Sequence, residues 1–293
     1  RERKALAEDE TPLKLHKIAG RKNDVVVSGG GGLLQDKTSR LSLEYYLTVM
    51  RLAKLVKRRV IVYGQSLGPL SRSAERSMVP ALRGIPIAVR DTRSQRYLLS
   101  HELSSTLVAD PALLLEAATS STSSEAKPLL IIPRGDQPDI QTALKQLVAH
   151  LSADRHYKHP LAVLALSPQT DAAAALALQQ QGHSQGTSIQ IWHADTPELA
   201  SQRIAEAGAV LSVRLHGLIL AAANSVPYSG VVYDPKVAAF LDETSAPRYH
   251  LPEDTTRLIE AVKRQPQLDW KQVDVLKARA RDGLTWLNEQ LEQ

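Results

Sequence analysis

Gly208–Ala223 reads GAVLSVRLHGLILAAA. The apolar run Ala209–Val213 has the composition of a strand buried on both faces of a parallel sheet. It meets the turn Arg214-Leu215-His216-Gly217, and a helix-forming run of Leu, Ile and Ala follows at once. In open parallel sheets ligands gather in the crevice beyond the strands' C-terminal ends. Arg214 and His216 fall at that edge, beside the free N–H groups that open a helix, and together these favour an anion. The alternative is that Arg214 pairs with a carboxylate and His216 is a satisfied histidine at the boundary.

The same strand-then-helix alternation extends in both directions. Upstream, Asp24–Ser28, Arg59–Gly64, Ile85–Arg90 and Thr106–Asp110 read as strands, with helices over about Leu41–Lys57 and from Ser71. Thr119–Ser124 (TSSTSS) interrupts the pattern with small polar residues. Strands then resume at Leu129–Ile132, Leu161–Leu166, Ser188–Ile191, Ala209–Val213 and Tyr228–Val232. Between them lie helices over about Pro138–Leu151, Thr170–Gln181 and Pro197–Ala207, and further helices trail over Asp254–Arg264 and Asp269–Leu291. This spacing implies parallel βαβ units. The expected architecture is α/β, two Rossmann-like domains facing a cleft. They cover residues 1–118 and 128–268, joined by a linker at 119–127, with a terminal helix over 269–293 packing back on the first.

At 293 residues the chain exceeds the usual single-core size. Hydrophobic residues at 43% and charged residues at 23% are ordinary for a globular protein, and no apolar run is long enough to span a bilayer. The chain opens on Arg1 with charged residues and no apolar leader, as expected where an N-terminal part is truncated. Lys and Arg number 36 against 31 Asp and Glu, a net charge of +5 that suits an anionic small substrate, a nucleic acid or an anionic membrane surface. Aromatics are only 4%, so the interleaving of basic and aromatic residues that marks single-strand binders is missing. The one basic run, Arg51–Arg59 (RLAKLVKRR), therefore reads as a solvated helix end, and nucleic acid is not an expected partner. With no cysteine there is no disulfide, thiolate metal site or cysteine nucleophile.

Further candidates stand at strand ends. In Gly29–Gly32, Gly30 and Gly31 either bring backbone N–H groups to a ligand or make a tight turn. Asp36 either accepts a proton from a hydroxyl or caps the next helix. Arg90 either forks onto a phosphate or carboxylate or pairs with Asp91 or a neighbouring acid. Arg134, in Ile132–Gly135 (IPRG), holds the matching place after the first strand of the second domain. Lys236, after Asp234-Pro235, can reach the same crevice as His216. Several cations at one edge suggest a small ligand with more than one negative charge. There is no GxxxxGK[ST], HExxH or GxSxG. His156, His159 and His183 lack metal-site spacing, so no metal is expected. From Val213 through Tyr233 no carboxylate occurs, although many two-domain sugar transferases hold a nucleotide ribose with glutamates there.

The segments DVVVSGGGGLLQDKTSR, YYLTVMRLAK, VIVYGQSLGPLSR, AVRD, VADPALLL, SVRLHGLILAAANSVP and VVYDPKVAAFL, spread from Asp24 to Leu241, resemble the polysaccharide pyruvyltransferases, in particular their CsaB-like branch. The segment from Ser120 to Gly186 departs from that pattern. The resemblance implies a glycosyltransferase-B-like fold and transfer of the pyruvyl group of phosphoenolpyruvate to a sugar of a cell-wall polysaccharide, with phosphate released. It implies that Arg90, Arg214, His216 and Lys236 hold phosphoenolpyruvate, a co-substrate, with His216 also transferring a proton and no cofactor required. The implied partners are phosphoenolpyruvate and a sugar or lipid-linked glycan, with peripheral association at the cytoplasmic face of the cell membrane and a role in envelope assembly such as S-layer anchoring. A nucleotide-sugar-dependent glycosyltransferase on the same scaffold and a non-catalytic carbohydrate-binding relative are the competing expectations.

Overall fold

The computed structural model describes residues 25–37, 39–117, 126–264 and 266–293. Most of the expected linker at 119–127, and Asp24 of the first expected strand, lie outside the described residues. The chain divides into two compact units, one drawn from 1–89, 94–106 and 287–293, the other from 90–93 and 107–286.

The first unit carries β1 (Val25–Gly29), β2 (Arg59–Gln65) and β3 (Ile87–Val89), and β4 (Thr106–Leu107) stands at its boundary. The sheet order is β1-β2-β3-β4, with β1–β2 and β2–β3 parallel. Helix α1 (Arg40–Leu55) starts where Ser39 Oγ accepts the Ser42 N–H at 3.3 Å. Helix α2 (Arg72–Leu82) starts in the same way on Ser71, and α3 (Thr92–Ser100) follows β3. These are the serine N-caps that the chemistry of an opening helix demands.

The second unit contains β5 (Leu129–Ile132), α4 (Pro138–Ala153), β6 (Leu161–Leu164), α5 (Pro168–Ser184), β7 (Ile189–Trp192) and α6 (Pro197–Ala205). It continues with β8 (Ala209–Ser212), α7 (Leu215–Ala223), β9 (Tyr228–Val231), α8 (Pro235–Glu243), β10 (Arg248–Tyr249), α9 (Thr255–Ala261) and most of α10 (Trp270–Glu292), whose residues from 287 onward belong to the first unit. Its sheet runs β10-β9-β8-β5-β6-β7, parallel throughout. The chain therefore starts mid-sheet, winds outward through β6 and β7, then returns to β8 on the other side of β5. That is the doubly wound Rossmann order, and β5 beside β8 is its switch point. Alternate strand residues feed opposite cores. Leu130, Ile132, Ala162, Leu164 and Val210 pack into one; Leu129, Ile131, Leu161, Val163 and Leu211 pack into the other.

Some boundaries differ from the sequence expectation. The strand expected over Thr106–Asp110 stops at Leu107, because Asp110 accepts the Ala112 N–H at 3.0 Å and opens a short 3-10 helix at Pro111–Leu114. Helix α8 and strand β10 are additional elements; Asp234 caps α8 by accepting the Lys236 N–H at 2.9 Å.

At the C-terminal edge of this sheet Gly135 lies so close to α5 that a Cβ would meet the Thr170 carbonyl oxygen at 1.6 Å. Backbone cannot yield to a methyl group, so Gly135→Ala is expected to destabilise by about 3 kcal/mol, at the upper end of overpacking costs. Denaturant titration measures this directly; an unchanged midpoint refutes the close packing.

Candidate active site

The switch point places the loops after β5 and β8 side by side, and these contain Arg134 and Arg214. Ser212, wholly buried, shapes the β8 loop: its Oγ accepts the Arg214 N–H at 3.0 Å and donates to the Arg214 carbonyl at 2.7 Å. Helix α7 then begins with no side-chain cap. Among the described residues the N–H groups of Leu215 and His216 have no acceptor, so the positive end of this helix is open. The Leu215 side chain packs against the core.

Arg214 does pair with a carboxylate. Its Nε donates to Asp171 Oδ2 at 2.9 Å and its Nη2 to Asp171 Oδ1 and to Thr170 Oγ1, the latter at 2.6 Å. Asp171 is fully enclosed, and it also accepts the N–H groups of Gly135 and Ser167, each at 3.1 Å. One carboxylate thus joins the loops after β5, β6 and β8. Nη1 of Arg214 has no hydrogen-bond partner among the described residues, and the side chain keeps 19% of its surface open. The carboxylate pairing and a solvent-open edge therefore coexist in one guanidinium.

Arg134 is more fully engaged. Its fork grips Asp136 at 2.5 and 2.7 Å, its Nη1 donates to Tyr233 Oη at 2.6 Å, and its plane lies 4.4 Å from the centre of the Tyr233 ring. The Asp136 bonds hold its pKa above the ordinary arginine value. It fastens the β5 loop to the segment after β9, and it is the cation with least left for a ligand.

His216 is open to solvent by surface area, yet closely surrounded by protein. The two facts describe different things: a ligand can reach the imidazole, and charging it costs more than in water. Desolvation pushes its pKa below the ordinary 6.5; Asp110 pulls it up, and Arg90 and Arg214 push it down. Arg90 is buried and donates to Asp110 Oδ2. Half-buried Lys236 sits in the first turn of α8, its pKa lowered by desolvation. Asp234 and Asp91 oppose that shift, while Arg90 and Arg93 add to it. Arg90, Asp110, Arg214, His216 and Lys236 all belong to the second unit. No group of His, Cys, Asp or Glu among the described residues is arranged to hold a metal ion.

Asp36 and the glycine turn belong to the first unit. The Asp36 carboxylate accepts the Ser71 N–H at 3.0 Å and the Ser71 hydroxyl, which lowers its pKa. Of the roles open to it, holding a helix start is the one its contacts display, and the helix is α2, whereas α1 uses Ser39. Gly30 and Gly31 adopt φ of 48° and 79°, backbone that glycine enters without strain, which accounts for the turn by itself.

The model of the polysaccharide pyruvyl transferase family matches residues 3–235. The chain belongs to that family. The match takes in Asp36, Arg90, Arg134, Arg214 and His216 and stops directly before Lys236. Among curated proteins, none matches the chain. Two solved structures share its fold. Anabaena HepE, solved with UDP, is similar over 85% of this chain and 76% of its own, at 12% identity and a TM-score of 0.56. The UDP-forming α,α-trehalose-phosphate synthase of Burkholderia vietnamiensis is similar over 94% of this chain and 75% of its own, at 11% identity and a TM-score of 0.55. Identities this low carry the fold alone. This pyruvyl transferase family member is α/β with a glycosyltransferase-B-like fold, and no helix among its described residues is long and apolar enough to cross a membrane.

Asp171, Asp110 and Tyr233 join the residues expected from the sequence. Asp171→Ala removes the buried partner of Arg214 and strands the Gly135 and Ser167 N–H groups. The expected cost is about 3 kcal/mol, the lower end for a broken buried pair because Arg214 retains some solvent. Urea unfolding tests it; a change under about 0.5 kcal/mol, the range of an ordinary surface substitution, contradicts the anchoring role.

Proposed function

We propose that the protein transfers the pyruvyl group of phosphoenolpyruvate to a sugar of a cell-wall polysaccharide or its precursor, free or lipid-linked, forming a cyclic ketal and releasing inorganic phosphate. The observation that carries this reading is Arg90: its charge bears on both His216 and Lys236, and His216 also feels Arg214. One imidazole thus stands within the field of two guanidinium groups, at the open start of α7, and one of them also acts on Lys236.

Phosphoenolpyruvate brings phosphate and carboxylate charges together. Arg90, the Nη1 edge of Arg214 and Lys236 neutralise them, and the N–H groups of Leu215 and His216 add donors that need no reorganisation. Protonated His216 delivers its proton to the methylene carbon, which becomes the methyl group, and positive charge develops at C2. A sugar hydroxyl bonds to C2 and gives up its proton. The C2–O bond to phosphate breaks, and phosphate leaves with the electron pair. A second hydroxyl of the same sugar then bonds to C2 and loses its proton, closing the ketal. Of the two hydroxyl protons one restores His216 and the other leaves with phosphate, so the step balances without a redox partner. Asp36, expected from the sequence either to accept a proton from a hydroxyl or to cap a helix, has its pKa lowered by Ser71 and is a correspondingly weaker base.

The test is phosphate release from phosphoenolpyruvate with candidate saccharides, together with the mass of the product. His216→Gln is expected to cut turnover by about 10²–10⁴-fold, the usual worth of a general acid. Undiminished turnover refutes the assignment, and transfer from a uridine diphosphate sugar in place of phosphoenolpyruvate would favour the glycosyltransferase reading. The pH dependence has a definite sign. A general acid must be protonated, and the His216 pKa lies below 6.5. The kcat/KM for phosphoenolpyruvate is therefore expected to fall as pH rises through a midpoint below the ordinary histidine value, a limb that His216→Gln removes.

A further inference from the structure

Helix α1 is apolar on opposite sides. Leu43, Leu47, Met50 and Ala53 form its buried face. Leu41, Tyr45, Leu52 and Leu55 recur at helical spacing on the other side, and Val56 at the C-cap extends the row. All are exposed, Leu41 at 83% and Leu55 at 77%. The row is about 20 Å long at the helical rise. A surface helix ordinarily turns polar residues outward; here exposed Thr48 is the polar residue within the row, and a stripe so largely apolar marks a surface that something covers.

The charges around the stripe choose the occupant. From Arg40 to Arg59 the basic residues are Arg40, Arg51, Lys54, Lys57, Arg58 and Arg59, and Glu44 is the only acid. Glu44 is itself paired with Arg40 at 3.4 Å and Arg51 at 3.5 Å. A second copy of so basic a surface would meet its own charge, whereas an anionic bilayer complements it. Arg40, Arg51 and Lys54 also donate to Ser73, Ser77 and the Arg83 carbonyl, and Arg59 donates to the Gln290 carbonyl. They therefore border the row on one flank, where Arg40 and Arg51 stay nearly half exposed. Leucines and a tyrosine with such a basic flank have the composition of an interfacial helix.

We infer that the outward face of α1 is a docking surface for anionic lipid bilayers, seating the protein on a membrane without crossing it. This inference is independent of the pyruvyl-transfer reading, since binding is measured without turnover. The experiment is co-sedimentation of the full chain with vesicles of phosphatidylglycerol in phosphatidylcholine and with vesicles of phosphatidylcholine alone, at low and high salt. The double variant Leu41→Ser/Leu55→Ser is run beside it; these side chains are the most exposed of the row, so the core is untouched, and thermal melting checks this. The expected result is binding to the anionic vesicles that weakens with salt and drops about tenfold or more in the double variant. Absence of binding by the wild type, equal binding by the variant, or a solution dimer that the same substitutions abolish would each overturn the inference.

Discussion

A carboxylate with no exposed surface cannot stay charged in a protein interior without a cation and a full set of donors. Asp171 has both: the Arg214 fork, the hydroxyl of Thr170, and the N–H groups of Gly135 and Ser167. Those groups arrive from the ends of β5, β6 and β8, so the ion pair is satisfied only when the loops are in register. Gly135 is part of the same constraint, since any side chain there would push its N–H away from Asp171. Arg134 repeats the device at the other margin, binding Asp136 within its own loop and Tyr233 from beyond β9. Loops are ordinarily the mobile part of an α/β domain. Here the ones that carry the candidate site are tied to one another.

The consequence is a set of cations with different freedom. Arg214 is gripped along one edge and cannot swing, so the edge that remains has a fixed position. Arg90 is buried and bound to Asp110, itself pinned by capping the 3-10 helix. Lys236 differs in kind: an ammonium on a flexible stem, half-buried, whose protonated form is disfavoured by desolvation and by Arg90 and Arg93. In the proposed reaction the fixed guanidinium forks would supply orientation and the lysine a charge that can follow its ligand. A site that needed only net positive charge would have no use for the carboxylates; their presence indicates that geometry is being held.

Much of this was legible in the sequence. Buried strands and the run from Ala209 into Arg214–Gly217 each leave a local mark, so the alternation and the strand-end placement of Arg90, Arg134, Arg214 and Lys236 could be read directly, whereas the cap of α1 is Ser39 and not Asp36. Asp171 could not, because it lies in the Ala- and Gln-rich helix α5, where nothing local separates a buried acid from a solvated one. Its partners Gly135 and Arg214 are set by topology alone. Asp110 had a readable signal, an aspartate before proline at a strand's end, but it suits a strand terminus as well as a helix cap. Strand β10, two residues long, is too short for any period. Helix α8 has a local signal in Asp234-Pro235, the usual cap and first-turn pair.

The placement of His216 carries a further consequence for the proposed reaction. With no anion bound, desolvation disfavours its protonated form, Asp110 opposes that, and Arg90 and Arg214 add to it. A multiply charged phosphate entering among those cations favours the protonated form, because it offsets the two charges that help to lower the pKa. Binding and protonation then reinforce each other, as linkage requires of two ligands that each favour the other's bound state. The proton is thereby held more firmly when there is an enol carbon to receive it. A lysine in the same place would hold its proton too firmly to give it to carbon, and an arginine would never release it. Among these cations histidine is the side chain whose charge the substrate itself can switch.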